Sequence, residues 1–126
     1  MRKLIVFFFL ALTYLAAEVP AGTYIGTWSG AASGEFRLML TQDGDKAWKA
    51  EVVFTLGNDE VKTQMKSVKV DGNHINVVYQ YDLQGTVLQS NVSGELNGKT
   101  LTGDYKATSV ADGSAVDEGT WKASAK

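Results

Sequence analysis

The sequence predicts an all-β fold, an eight-stranded antiparallel up-and-down β-barrel, on three observations. After residue 21, apolar side chains recur at every second position, the rhythm of strands that bury one face. Seven clusters of turn-forming residues interrupt that rhythm at nearly even spacing: Ala31–Gly34, Asp43-Gly44, Gly57–Asp59, Asp71–Asn73, Gln84-Gly85, Asn97-Gly98 and Ala111–Ser114. The first and last of the eight segments share a tripeptide, Gly26-Thr27-Trp28 and Gly119-Thr120-Trp121. Pairing the two antiparallel would bring both indoles to one face and close the sheet on itself.

Arg2 and Lys3 precede an apolar run from Leu4, followed by small residues, the pattern of an export signal. Cleavage after Ala17 or after Ala21 fits small-residue specificity; Ala21 is preferred, which assigns residues 1–21 to the signal and 22–126 to the barrel. A retained anchor is disfavoured, because roughly 12 apolar residues fall short of the about 20 that span a bilayer. The expected location is therefore periplasmic or secreted, with no stable membrane span after cleavage.

In the next segments Phe36, Leu38 and Leu40 alternate with Glu35, Arg37 and Met39, and Trp48, Ala50, Val52, Phe54 and Leu56 with Lys49, Glu51, Val53 and Thr55. Between Val61 and Val70 the phase slips: Val61, Thr63 and Met65 share one face, Val68 and Val70 the other. One extra residue near Lys66 and Ser67 restores it, so a β-bulge is expected there. Ile75, Val77, Tyr79, Tyr81 and Leu83 form the next inward row. Asn97-Gly98 carries the strongest two-residue hairpin signal. Placed at the turn centre, it sets Gly94 opposite Leu101, Val92 opposite Gly103, Ser90 opposite Tyr105 and Leu88 opposite Ala107. No stretch keeps a helical period.

Composition narrows the function classes. The chain has 126 residues, no cysteine and a net charge of −2. No disulfide framework or cysteine-linked lipid is available, so the core alone holds the fold. Removing residues 1–21 takes away two basic residues and one acidic one, which leaves the remainder weakly acidic and argues against nucleic acid as a partner. A lipid-facing barrel is disfavoured by short turns and many small residues on the apolar face. A two-sheet sandwich would need longer crossovers than these turns provide.

Catalytic motifs are absent: no Gly-x-Ser-x-Gly, no phosphate-binding glycine loop, no His-Glu-x-x-His and no thiol. The single histidine, His74, points outward by parity, and zinc would lack ligands. Asp43-Gly44-Asp45 and Asn58-Asp59-Glu60 read as turns rather than calcium loops. Asn91-Val92-Ser93 matches a glycosylation acceptor but reads as chance. Asp117 alone among the carboxylates shares a face with Gly119 and Trp121, near a barrel mouth. No cofactor, metal or catalytic residue is expected.

The interior is the informative part. Trp28, Trp48, Tyr79, Tyr81, Ser90, Tyr105 and Trp121 fall on the inward face, along with Tyr24. Aromatic rings with polar tips line cavities for flat apolar molecules, and equally fill a small barrel. The leading expectation is a non-catalytic barrel that binds a small hydrophobic or aromatic ligand through those seven residues. The alternative is a packed-core interaction module that binds another envelope or extracellular protein. Oligomeric state is not legible.

Gly26-Thr27-Trp28 in the first strand of an exported meander resembles the lipocalin and avidin barrels, the calycin group. Lipocalins place a Gly-x-Trp there, with the indole closing the barrel, and avidins begin with Gly-Thr-Trp. Leu101-Thr102-Gly103-Asp104-Tyr105 is similar to an avidin Leu-Thr-Gly-x-Tyr element. That element lies early in avidins and in the seventh segment here, so biotin binding is not implied. Lys122 points outward by parity, unlike the late basic residue of lipocalins, and the lipocalin C-terminal helix and disulfides are missing. The resemblance implies the architecture.

Overall fold

The computed structural model describes residues 18–44 and 47–126; the segment read as an export signal, up to residue 17, and Asp45 of the first candidate calcium turn lie outside them. Nine strands follow one another: β1 (Gly22–Ser29), β2 (Ser33–Asp43), β3 (Ala47–Leu56), β4 (Asp59–Lys62), β5 (Gln64–Asp71), β6 (His74–Leu83), β7 (Thr86–Asn97), β8 (Thr100–Ser109) and β9 (Ala115–Ala125). They form one antiparallel sheet in the order β4-β3-β2-β1-β9-β8-β7-β6-β5. The architecture is an up-and-down, nearly closed barrel, with no helix among the described residues. It is compatible with a calycin-like fold.

The ninth strand comes from the segment expected to be one. Thr63 alone separates β4 from β5, because the strand changes partners there. Residues 59–62 pair with β3 and residues 64–71 with β6. Thr63 itself stays tied to β3 through its side chain, whose Oγ1 donates to the Val52 carbonyl at 2.6 Å. The expected bulge is present: Met65 pairs with Tyr79 and Ser67 with Val78, leaving Lys66 extra. One bent strand thus bridges both ends of the sheet, and the bulge brings Val68 and Val70 back to the inside.

Closure between first and last strands also takes the expected form. Trp28 pairs with Trp121 and Gly26 with Ala123. The β7–β8 hairpin departs from expectation by two residues. Asn97 pairs with Thr100, so the turn centre is Gly98-Lys99 rather than Asn97-Gly98. Gly98 has φ 65°, which fits a type II′ turn with glycine first; its partner position needs no left-handed residue. Asn97 therefore remains in the strand. Gly94 faces Gly103, Val92 faces Tyr105 and Ser90 faces Ala107, not the small-against-large pairs inferred from a centred Asn-Gly. The complementarity lies one strand further on: the Trp121 ring lies over Gly94, where a Cβ would overlap it. Trp121 Nε1 donates to the carbonyls of Ser93 (3.1 Å) and Asp104 (3.3 Å).

One end of the barrel is packed shut. Tyr24, Leu38, Leu40, Leu101 and Ala123 are buried there, together with Val19 from the segment before β1. Val19 N donates to Gly72 O at 2.9 Å, and Tyr24 Oη donates to Pro20 O at 2.6 Å. Polar pairs cross the outer face, which also exposes Ile25 and Val87. Asn76 Nδ2 donates to Asn91 Oδ1 and Ser93 Oγ, both at 2.9 Å, and Gln80 pairs with Gln89 at 2.9 Å. His74 lies outside, as parity requires, 3.1 Å from Glu95.

Candidate functional site

At the opposite end the interior is open. A cavity of about 310 Å³ runs from the Trp121 layer to a mouth formed by the β1–β2 turn at Ala31 and Ala32, the ends of β3 and β6 at Leu56 and Leu83, and the start of β9 at Val116 and Asp117. The strands that supply its walls do so because their period-two rows face inward: Leu38 and Phe36 from β2, Val52 and Phe54 from β3, Ile75, Val77, Tyr79 and Tyr81 from β6, Leu88, Ser90 and Val92 from β7. A cavity of this size is at the lower end of small-molecule pockets, and its apolar walls with few polar groups match their usual character.

A continuous aromatic belt rings the upper part. Trp28 meets Phe54 edge to face at 5.9 Å between centroids and Tyr105 at 6.0 Å. Phe54 continues to Tyr81 at 5.0 Å and to Tyr79 at 6.4 Å, and the two tyrosines lie 6.0 Å apart. Deeper in, Phe36 meets Trp121 at 5.6 Å. Edge-to-face pairs set the positive rim of one ring on the negative face of the next, which fixes ring orientation. Trp28 Nε1 lies against Gly34 and has no hydrogen-bond partner among the described residues.

Asp117 is the polar feature of the mouth. The β8–β9 ladder slips between Ala107 and Thr108, which pair with Asp117 and Ala115, so Val116 is an extra residue in β9. Asp117 itself continues the inward row of Gly119 and Trp121, in unbroken register with β8, which brings its carboxylate to the rim. Its Oδ2 accepts from Tyr105 Oη at 2.8 Å, and its Oδ1 accepts from the Ala31 amide at 2.8 Å. Gly30 makes room for the arrangement, since a Cβ there would collide with Tyr105 Oη and crowd Asp117.

The tyrosine hydroxyls are held in their neutral form. Burial pushes Tyr79 up to about 12, with a hydrogen bond from Ser90 opposing the shift. Burial raises Tyr105 further, helped by its hydrogen bond to the Asp117 carboxylate and that group's charge. Tyr81 is raised by burial and then by the Asp117 charge. These phenols act as hydrogen-bonding groups at ordinary pH and not as bases.

Six of the seven residues expected to form the site line the cavity: Trp28, Tyr79, Tyr81, Ser90, Tyr105 and Trp121. Trp48 does not. Its side chain is half-buried against the packed core and forms no part of the lining. Phe36 and Phe54 were legible as inward residues but not as members of the aromatic belt, and Val116 carried no signal at all. Among the described residues no group of three or more potential metal ligands comes together.

The fold and the cavity define a class: a small antiparallel β-barrel, shut at one end, with an apolar, aromatic-lined chamber open at the other. Compared with protein-family models, curated proteins and solved structures, the chain matches none significantly.

Proposed function

We propose that this chain is an exported, non-catalytic barrel that holds a small hydrophobic or aromatic molecule in the open half of its interior. The observation that carries the reading is the chamber of about 310 Å³, whose walls are apolar apart from a few hydroxyls and one carboxylate at the rim. Apolar void costs the fold packing energy, of order 24 cal/mol per Å³ in cavities left by core truncation. A ligand that fills it recovers contacts that the core forgoes.

On this reading the barrel is a calycin-type carrier, a kinship supported by the nearly closed antiparallel meander and by Gly26-Thr27-Trp28 in β1. Export to the periplasm or the exterior is supported by the charged head and apolar run of residues 2–15. Cleavage after Ala17 is the better fit to the folded chain, since it retains Val19 in the core.

Native mass spectrometry of the purified protein tests the reading. The expected result is a co-purified small molecule, or uptake of an apolar fluorophore at one site per chain. Ser90→Phe, which puts a ring into the chamber while leaving the strand pairing intact, abolishes uptake in a protein that still melts cooperatively. A bare mass together with no uptake by the wild type would remove the carrier function.

A further inference from the structure

We propose that the chamber selects a cation on an apolar body: a lipophilic ammonium ligand, its charged end between the Asp117 carboxylate and the aromatic belt. The inference rests on the carrier reading and adds the charge of the cargo.

Three observations carry it. First, among the described residues the lining holds one carboxylate and no lysine, arginine or histidine. Its fixed charge is therefore of one sign. Second, Asp117 has no cationic partner among the described residues. Its two hydrogen bonds come from neutral donors, the Tyr105 hydroxyl and the Ala31 amide, each at 2.8 Å. An ionised carboxylate has about four acceptor positions, so acceptor capacity and net charge remain unspent at the rim. Third, the carboxylate continues directly into the belt: Tyr105 bonds it, and Trp28 lies 6.0 Å from Tyr105. Aromatic faces are the negative part of the ring quadrupole and attract ammonium groups, most strongly where water is excluded. A neutral ligand would use the walls and ignore the carboxylate; an anionic one would be repelled by it.

The position of Asp117 is built, not incidental. It lies on the inward row with Gly119 and Trp121, and the absence of a side chain at Gly30 leaves the space it occupies with Tyr105. A solvated loop aspartate would need no such gap.

Calorimetric titration with benzyltrimethylammonium and with neopentylbenzene, its isostere with carbon in place of nitrogen, tests this on the purified protein. The expected result is a preference for the cation of roughly tenfold or more, the scale of one desolvated cation–π contact plus a charge pair. Asp117→Asn keeps an oxygen acceptor at the same place and is expected to erase most of the preference for the cation over the isostere. Equal or tighter binding of the isostere to the wild type would overturn the cation inference and leave the carrier reading standing. Binding of neither probe would overturn the cation inference, and the carrier reading with it where the bare mass and the absence of fluorophore uptake are also found. The wild-type comparison decides the matter even if the variant folds poorly.

Discussion

At the scale of single residues, the turns show where the chain accepts local strain. Gln84 has φ 55° and is the one described non-glycine residue in the left-handed region. With Gly85 at φ 90°, it forms the two-residue connection between Leu83 and Thr86. Both central positions of a type I′ turn need positive φ, and asparagine tolerates that better than glutamine because its short amide bonds locally. Gln84→Asn is therefore expected to stabilise the protein by about 0.5–1 kcal/mol, seen as a rise of several degrees in Tm. Gln84→Ala serves as the control and is expected to bring no gain. If the asparagine variant melts no higher than the wild type, the β6–β7 connection is not the strained element that its backbone indicates.

At the scale of elements, local alternation was readable and position along the barrel was not. Side chains on a strand change face at every residue, so a pairing error of two residues leaves every face assignment intact. That is why the β7–β8 register could be misplaced, with Gly98 rather than Asn97 opening the turn, while Ser90, Val92 and Tyr105 still face inward. Trp48 shows the limit from the other side. Its inward parity held, but height above the closed end depends on stagger between strands, which no single segment encodes. The Val116 bulge lay hidden because it falls beside a turn, where alternation is too short to register a slip. The segment before β1 carries a prediction of its own. Val19 is 1% exposed and its amide bonds Gly72, so the segment before β1 is anchored to the packed end through Val19. Val19→Ala is expected to cost about 1–2 kcal/mol in denaturant melts. A chain starting at Gly22 is expected to melt lower than one starting at Glu18, and on the proposed export the intact mass of the mature chain is expected to begin at Glu18. Equal stability of the two chains would remove the structural argument for cleavage after Ala17 rather than after Ala21.

At the scale of the whole molecule, the interior tyrosines link the barrel's stability to alkaline pH. Tyr24, Tyr79, Tyr81 and Tyr105 all have pKa values raised above 10, in each case by burial first; Asp117 adds to the shift at Tyr81 and Tyr105. The folded chain therefore holds protons that the unfolded chain releases near pH 10. Where the folded state binds more protons, stability falls as pH rises. The contribution of these phenols is fully present below pH 10 and is lost above it, through the value of about 12 reached by Tyr79. Phenolate absorbance and near-ultraviolet circular dichroism, followed together from pH 9 to 13, are the measurements. The expected outcome is a cooperative loss of tertiary signal that coincides with the appearance of phenolate, because ionisation of the inner rings requires the barrel to open. Tyr79→Phe removes a phenol that burial holds up at about 12 and is expected to flatten the decline of Tm between pH 10 and 12. Full, reversible ionisation of the tyrosines near pH 10 with the tertiary signal intact would mean that water reaches every ring, and the chamber would then be no shelter for an apolar ligand.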